Sequence, residues 1–125
     1  MNRKLHDNAA ARQHYEEAVA LYRKHGDRLA LAHTVRHLAD VYQEGHHPEL
    51  AEPCYREALE LYRSCADVPP LDLANAIRSM AVLKGENGET AQARALWQEA
   101  QSLYAQVNVP QGVAESSARL ARLPE

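Results

Sequence analysis

The chain has 125 residues, a formal charge of −3 and a pI near 6.2, a size that suits one domain burying roughly two thirds of the surface its unfolded form exposes. The near-neutral balance excludes a broad positive field of the kind that holds nucleic acid or an anionic membrane, so neither partner is expected. Ala occurs 22 times and Leu 15, against one Ile, two Thr and no Phe, so helix formers dominate, strand formers are scarce, and the expected class is all-α.

Glycines and prolines divide the chain. Gly26, Gly45 and Gly88 each follow an apolar-periodic stretch, as does a residue that closes a helix in the left-handed conformation. Pro48, Pro69, Pro70 and Pro110 stand where helices begin and a missing N–H costs little. Six helices are predicted between these marks, over 8–25, 28–45, 49–65, 70–87, 89–106 and 110–122. Short loops make consecutive helices antiparallel neighbours. Pro53 conflicts with the third helix and predicts a late start or a kink there. Cys54 and Cys65 lie on that helix, separated by roughly 16 Å of rise, too far for a mutual disulfide. Two reduced thiols suit the cytoplasm. The opening MNRKLHDNAA has no apolar signal core, and no apolar run approaches the roughly 20 residues that span a bilayer.

One octet recurs. YEEAVALY at 15–22, YREALELY at 55–62 and WQEAQSLY at 97–104 fall on the first, third and fifth helices. Their spacing sets Ala11, Tyr15, Ala18, Leu21 and Tyr22 on one stripe, then Ala51, Tyr55, Ala58, Leu61 and Tyr62, then Ala93, Trp97, Ala100, Leu103 and Tyr104. Small residues alternating with rings let a neighbouring helix approach closely. The intervening helices echo one another through HLADVY at 37–42, SMAVLK at 79–84 and RLARLP at 119–124. Two interleaved helix types sharing one period mark a stacked array of helical hairpins.

Leu38-Ala39-x-x-Tyr42 followed by Ala51, Tyr55 and Ala58 resembles the tetratricopeptide repeat, with an A helix carrying Leu, a small residue and Tyr, and a B helix carrying Ala, an aromatic and Ala. Met80-Ala81, Gly88, Ala93, Trp97 and Ala100 repeat it, with Lys84 where Tyr is usual. The period of 40–42 residues is similar to the long variant of kinesin light chain. The resemblance implies a right-handed superhelix over residues 1–125 as a single domain. It comprises a half repeat of B type at 8–25, full repeats at 28–65 and 70–106, and a half repeat of A type at 110–122. The long variant has Asn before the Leu of helix A, where this chain has His37, Ser79 and Arg119.

The resemblance also implies a groove lined by the A helices. Its positions correspond to His33, Arg36, His37 and Asp40, then Asn75, Arg78, Ser79 and Val82, then Glu115, Ala118, Arg119 and Arg122. Such a groove is polar with mixed charge and suits a protein or peptide segment. Arg36 and Arg78 are candidates for a carboxylate clamp like that of the family's co-chaperones, but Asp40 stands where such a clamp has Asn, and its charge repels a carboxylate.

Other chemistry is weakly supported. His33, His37 and Asp40 share a helix face, yet they span about 10 Å of rise, too long for one ion, so a solvated face is expected and no metal. The cysteines lie in helix interiors without a feature that lowers a thiol pKa. No GxGxxG, P-loop or nucleophile elbow occurs. A non-enzyme without cofactor is expected.

The ends are open by repeat type. Ala11 and Tyr15 on the first helix lack an A partner, and Leu120 on the last lacks a B partner. Leu38 to Tyr55 spans 17 residues, and Leu120 through Glu125 and on from Met1 to Tyr15 spans 20. Head-to-tail or swapped homo-oligomers are therefore expected, the alternatives being a piece of a longer array or a monomer whose termini fold over the ends. The expected function is a protein–protein interaction scaffold, the alternative a purely self-assembling structural protein.

Overall fold

The computed structural model describes residues 3–124, with side chains from Asp7 onward; Met1, Asn2 and Glu125, through which the proposed end-to-end register runs, lie outside the described residues. Six helices occur and no strand among the described residues: α1 (Arg3–His25), α2 (Arg28–Glu44), α3 (Pro48–Ser64), α4 (Pro70–Glu86), α5 (Thr90–Gln106) and α6 (Pro110–Arg122). They fall into two compact units, Met1–Ala66 and Asp67–Glu125. In the first unit α2 packs against both α1 and α3, and in the second α5 packs against both α4 and α6.

Local chemistry accounts for the helix limits. Pro48, Pro70 and Pro110 occupy the first helical positions of α3, α4 and α6, where φ is already set for the helix. The Asp27 side chain accepts from the Ala30 N–H at 3.0 Å and caps α2. Three helix ends share one closure. The N–H groups of His47, Glu89 and Val109 reach back to the carbonyls of Tyr42, Lys84 and Tyr104, and those of His46, Gly88 and Asn108 to Gln43, Gly85 and Ala105. This double bond pattern needs a left-handed residue just past the helix, supplied by His46 (φ 64°), Gly88 (φ 77°) and Asn108 (φ 58°).

Four local expectations are corrected. The first helix starts at Arg3 rather than residue 8, since no Gly or Pro interrupts 3–25. The left-handed residue after α2 is His46, and Gly45 has an ordinary φ of −82°. Glycine there leaves room: a Cβ would lie a tight 3.0 Å from the Asn8 side-chain oxygen, and Asn8 donates to the Val41 carbonyl. The third helix begins at Pro48 and runs through Pro53 without a late start. Pro53 stands just past the first turn on the exposed side, so the one carbonyl it leaves without a helical partner, that of exposed Glu49, faces water. Finally, Leu21 is 55% exposed, because its position lies at the edge of the stripe, half-buried even in Leu61 and Leu103.

The remaining stripe residues make the core. Ala32 and Ala39 of α2, Ala51 and Ala58 of α3, Ala74 and Ala81 of α4, and Ala93 and Ala100 of α5 all have 0% exposure. With only a methyl between backbones, paired helices come close, and Tyr55, Tyr62, Ile77, Leu83 and Trp97 fill the space alongside. Each of these large side chains contributes about 1.5–3 kcal/mol through burial. Lys84, in the place held by Tyr42 in the first unit, buries its stem and brings Nζ to 3.3 Å from Glu89.

The ring of Tyr104 lies directly on the backbone of α6. A Cβ at Gly112 would come within 2.4 to 2.6 Å of that ring, whereas one at Gly85 would meet nothing. Gly112→Ala is expected to destabilise the protein by about 1–3 kcal/mol through overpacking. Gly85→Ala should be neutral or stabilise by up to about 1 kcal/mol. Urea unfolding of the two variants checks the contrast.

Candidate functional site

In the first unit three of the four candidate groove residues of α2, His33, His37 and Asp40, are each engaged with a tyrosine. His33 Nδ1 shares a hydrogen bond of 2.6 Å with the Tyr62 hydroxyl, the rings meeting edge to face. His37 stacks on Tyr15 of α1 with centroids 5.7 Å apart. Asp40 accepts the Tyr55 hydroxyl proton. His33, His37 and Asp40 thus serve three different rings, and among the described residues no group of three or more His, Cys, Asp and Glu is gathered to hold a metal ion. Arg36 is half-buried, and its enclosed Nε has no hydrogen-bond partner among the described residues.

In the second unit the corresponding residues join α4, α5 and α6. Asn75 Oδ1 accepts from the Tyr104 hydroxyl at 2.7 Å, the counterpart of the His33–Tyr62 bond. The Ser79 hydroxyl donates to the Asn75 carbonyl at 3.2 Å. Arg78 grips Glu115 of α6 with both Nε and Nη2, the latter at 2.8 Å. This fork geometry matches a carboxylate, and the guanidinium bond holds the Glu115 carboxyl below its ordinary range, against the opposing effect of burial. A cleft of about 470 Å³ opens beside the pair, with Leu71, Asn75, Tyr104, Val109, Gln111 and Gly112 in its walls.

Val82, Trp97, Arg119 and Arg122 are among the residues that line a second cleft of about 320 Å³. The Arg119 guanidinium lies 5.6 Å from the centre of the Trp97 ring. This is the same register as Tyr15 under His37, a ring of one helix beneath the residue that precedes Leu on the next. Ala118 points to solvent. The pairing of Asp40 with Tyr55 is replaced here by Val82 with Trp97, two groups that need no hydrogen bond from each other.

The residues assigned to the open ends are placed differently from one another. Ala11 and Tyr15 are half-buried, and the Tyr15 ring is already stacked on His37. Leu120 is half-buried, while Ala114, Ser117 and Ala121 beside it are exposed. Sequence reasoning missed a third, mainly apolar cleft of about 500 Å³ formed by Ala105, Asn108, Val109, Pro110, Val113 and Ala114. Aligning Ala114 with Ala32 and Ala74 would have flagged it. The Cys54 thiol is pushed up chiefly by burial, which disfavours the thiolate.

A family model described as tetratricopeptide repeat matches residues 1–64, the stretch that carries α1, α2 and α3. The chain is a tetratricopeptide repeat protein. No curated protein matches it. Tetratricopeptide repeats are generally non-catalytic modules that bind protein partners. Among the described residues of this tetratricopeptide repeat protein, no helix is long and apolar enough to cross a membrane.

Burial first, and the neighbouring Arg36 charge second, lower the His37 pKa from its ordinary 6.5. A depressed folded-state value means that the unfolded chain takes up the proton first. The stability this neutral imidazole contributes is complete above pH 6.5 and is lost as pH falls through the folded value. An NMR titration should place the His37 midpoint below 6.5. Tyr15→Ala, which uncovers the imidazole, should move the midpoint upward.

Proposed function

We propose that this protein is a non-catalytic interaction module that binds a protein or peptide segment on the exposed faces of its A helices and associates with further copies of itself through α1 and α6. The observation that carries the first part is the cleft beside Arg78 and Glu115. It combines a fixed cation, a fixed anion and the amides of Asn75 and Gln111 with the apolar walls of Leu71 and Val109. An extended segment with one acidic and one aliphatic side chain suits that lining. The two free thiols favour a cytoplasmic setting. Burial disfavours the thiolate of the half-buried Cys54.

Self-assembly with an idle groove is the second reading. It is favoured by the engagement of His33, Asp40 and Asn75 with tyrosine hydroxyls, which leaves these residues fewer free polar atoms for a ligand.

Selection from a displayed peptide library on the immobilised protein distinguishes the two. The groove reading expects enriched peptides with an acidic residue, and a loss of about tenfold or more in affinity on Arg78→Ala, the scale of a charged hydrogen-bonded pair. Failure to enrich any peptide, or enrichment insensitive to Arg78→Ala in a protein of unchanged helicity, favours the idle groove.

A further inference from the structure

The contact between an A helix and the B helix after it occurs twice within the chain, as α2 on α3 and α4 on α5, and each instance is centred on fully buried alanines. The same places recur once more, uncovered. On α6, Ala114 and Ala121 hold the A-helix places of Ala32 and Ala39, yet both are exposed. On α1, Ala11 and Ala18 hold the B-helix places of Ala51 and Ala58, yet both are only half-buried. The two faces are therefore complementary halves of one contact whose closed form the chain displays elsewhere.

The polar chemistry of these faces matches as well. In each closed hairpin the last tyrosine of the B-helix octet bonds to the A-helix residue five places before the Leu or Met: Tyr62 to His33 and Tyr104 to Asn75. In the open halves those positions are Tyr22 on α1 and Glu115 on α6. Arg78 holds the Glu115 carboxylate in place, and each of its oxygens keeps a lone pair for another donor. An ionised acceptor makes the stronger kind of hydrogen bond.

Resting on the self-association reading above, we infer that α6 of one copy and α1 of a second copy close a third hairpin, with the Tyr22 hydroxyl donating to Glu115. The contact is heterologous, head of one chain to tail of the next. Its occupant is a second copy rather than an unrelated helix, because the template for both halves is the chain's own repeat.

Sedimentation velocity on the full chain tests this. The wild type should associate reversibly. Tyr22→Phe, which removes only the hydroxyl, and Glu115→Ala should each weaken association about tenfold, with no further loss in the double variant. Ala18→Arg should block the head and Ala121→Arg the tail, leaving each alone monomeric, while their mixture forms a 1:1 dimer through the one intact head and tail. Ala11→Arg replaces Ala18→Arg if circular dichroism shows the latter unfolded. A wild type that stays monomeric at millimolar concentration overturns self-association altogether. Association that persists unchanged in Tyr22→Phe and Glu115→Ala overturns only the Tyr22–Glu115 pairing. A mixture of blocked variants that stays monomeric, or either variant dimerising alone, overturns the head-to-tail geometry.

Discussion

The closeness of paired helices is the constraint on which the rest of this protein depends. Eight alanines with no exposure lie on the paired helices within each of the two full hairpins, α2 with α3 and α4 with α5, and a methyl group there sets the distance between backbones. Larger residues would separate the helices and leave voids around Tyr62, Ile77 and Trp97, since interiors tolerate little empty volume. The aromatic residues do not define the approach; they fill the space that the alanines leave. That division of labour explains why the repeated octet varies at its first position, Tyr or Trp, but keeps Ala three residues later.

Tyrosine hydroxyls then connect this core to the surface. Tyr62 and Tyr104 emerge from the buried stripe to meet His33 and Asn75, and Tyr55 meets Asp40. A buried hydroxyl without a partner would be costly, so each fixes the rotamer of a residue on the A helix. The exposed face of that helix is thereby held in shape by the core beneath it. In the second unit the Arg78–Glu115 fork adds a tie between α4 and α6 outside the alanine contact, and the walls of the adjoining cleft hang on it.

The fold was legible because its signals are local. Helix-forming composition, proline at first turns and alanine at three- and four-residue steps each report on a few adjacent residues, and they agree with one another. The misread details also have local causes: Gly45 looked like a left-handed closure when its role is room for Asn8, and Leu21 looked like a core residue although it sits at the stripe's margin. The site was less legible. Positions on the A helices followed from the family resemblance, but their engagement did not. Arg78 and Glu115 are 37 residues apart, and nothing in the spacing of either helix reports that one side chain reaches the other. Likewise the stacking of Tyr15 on His37 joins residues that sequence reasoning had assigned to two separate surfaces. Aligning the three A helices column by column recovers some of this, since His33, Asn75 and Glu115 then share one place.

The replacement of Asp40 and Tyr55 by Val82 and Trp97 has a consequence for how the chain finds its own pairing. The two hairpins present the same alanines, so packing alone would not distinguish the B helix that belongs to α2 from the one that belongs to α4. Tyr55 beside Val82 would bury a hydroxyl with no acceptor, since a valine side chain offers none. That mismatch costs about 1–3 kcal/mol, a penalty the correct partners escape. The divergence between repeats therefore acts as an address: the alanines make any A helix welcome to any B helix, and a hydroxyl that finds its acceptor only on Asp40 tells the folding chain where α3 belongs.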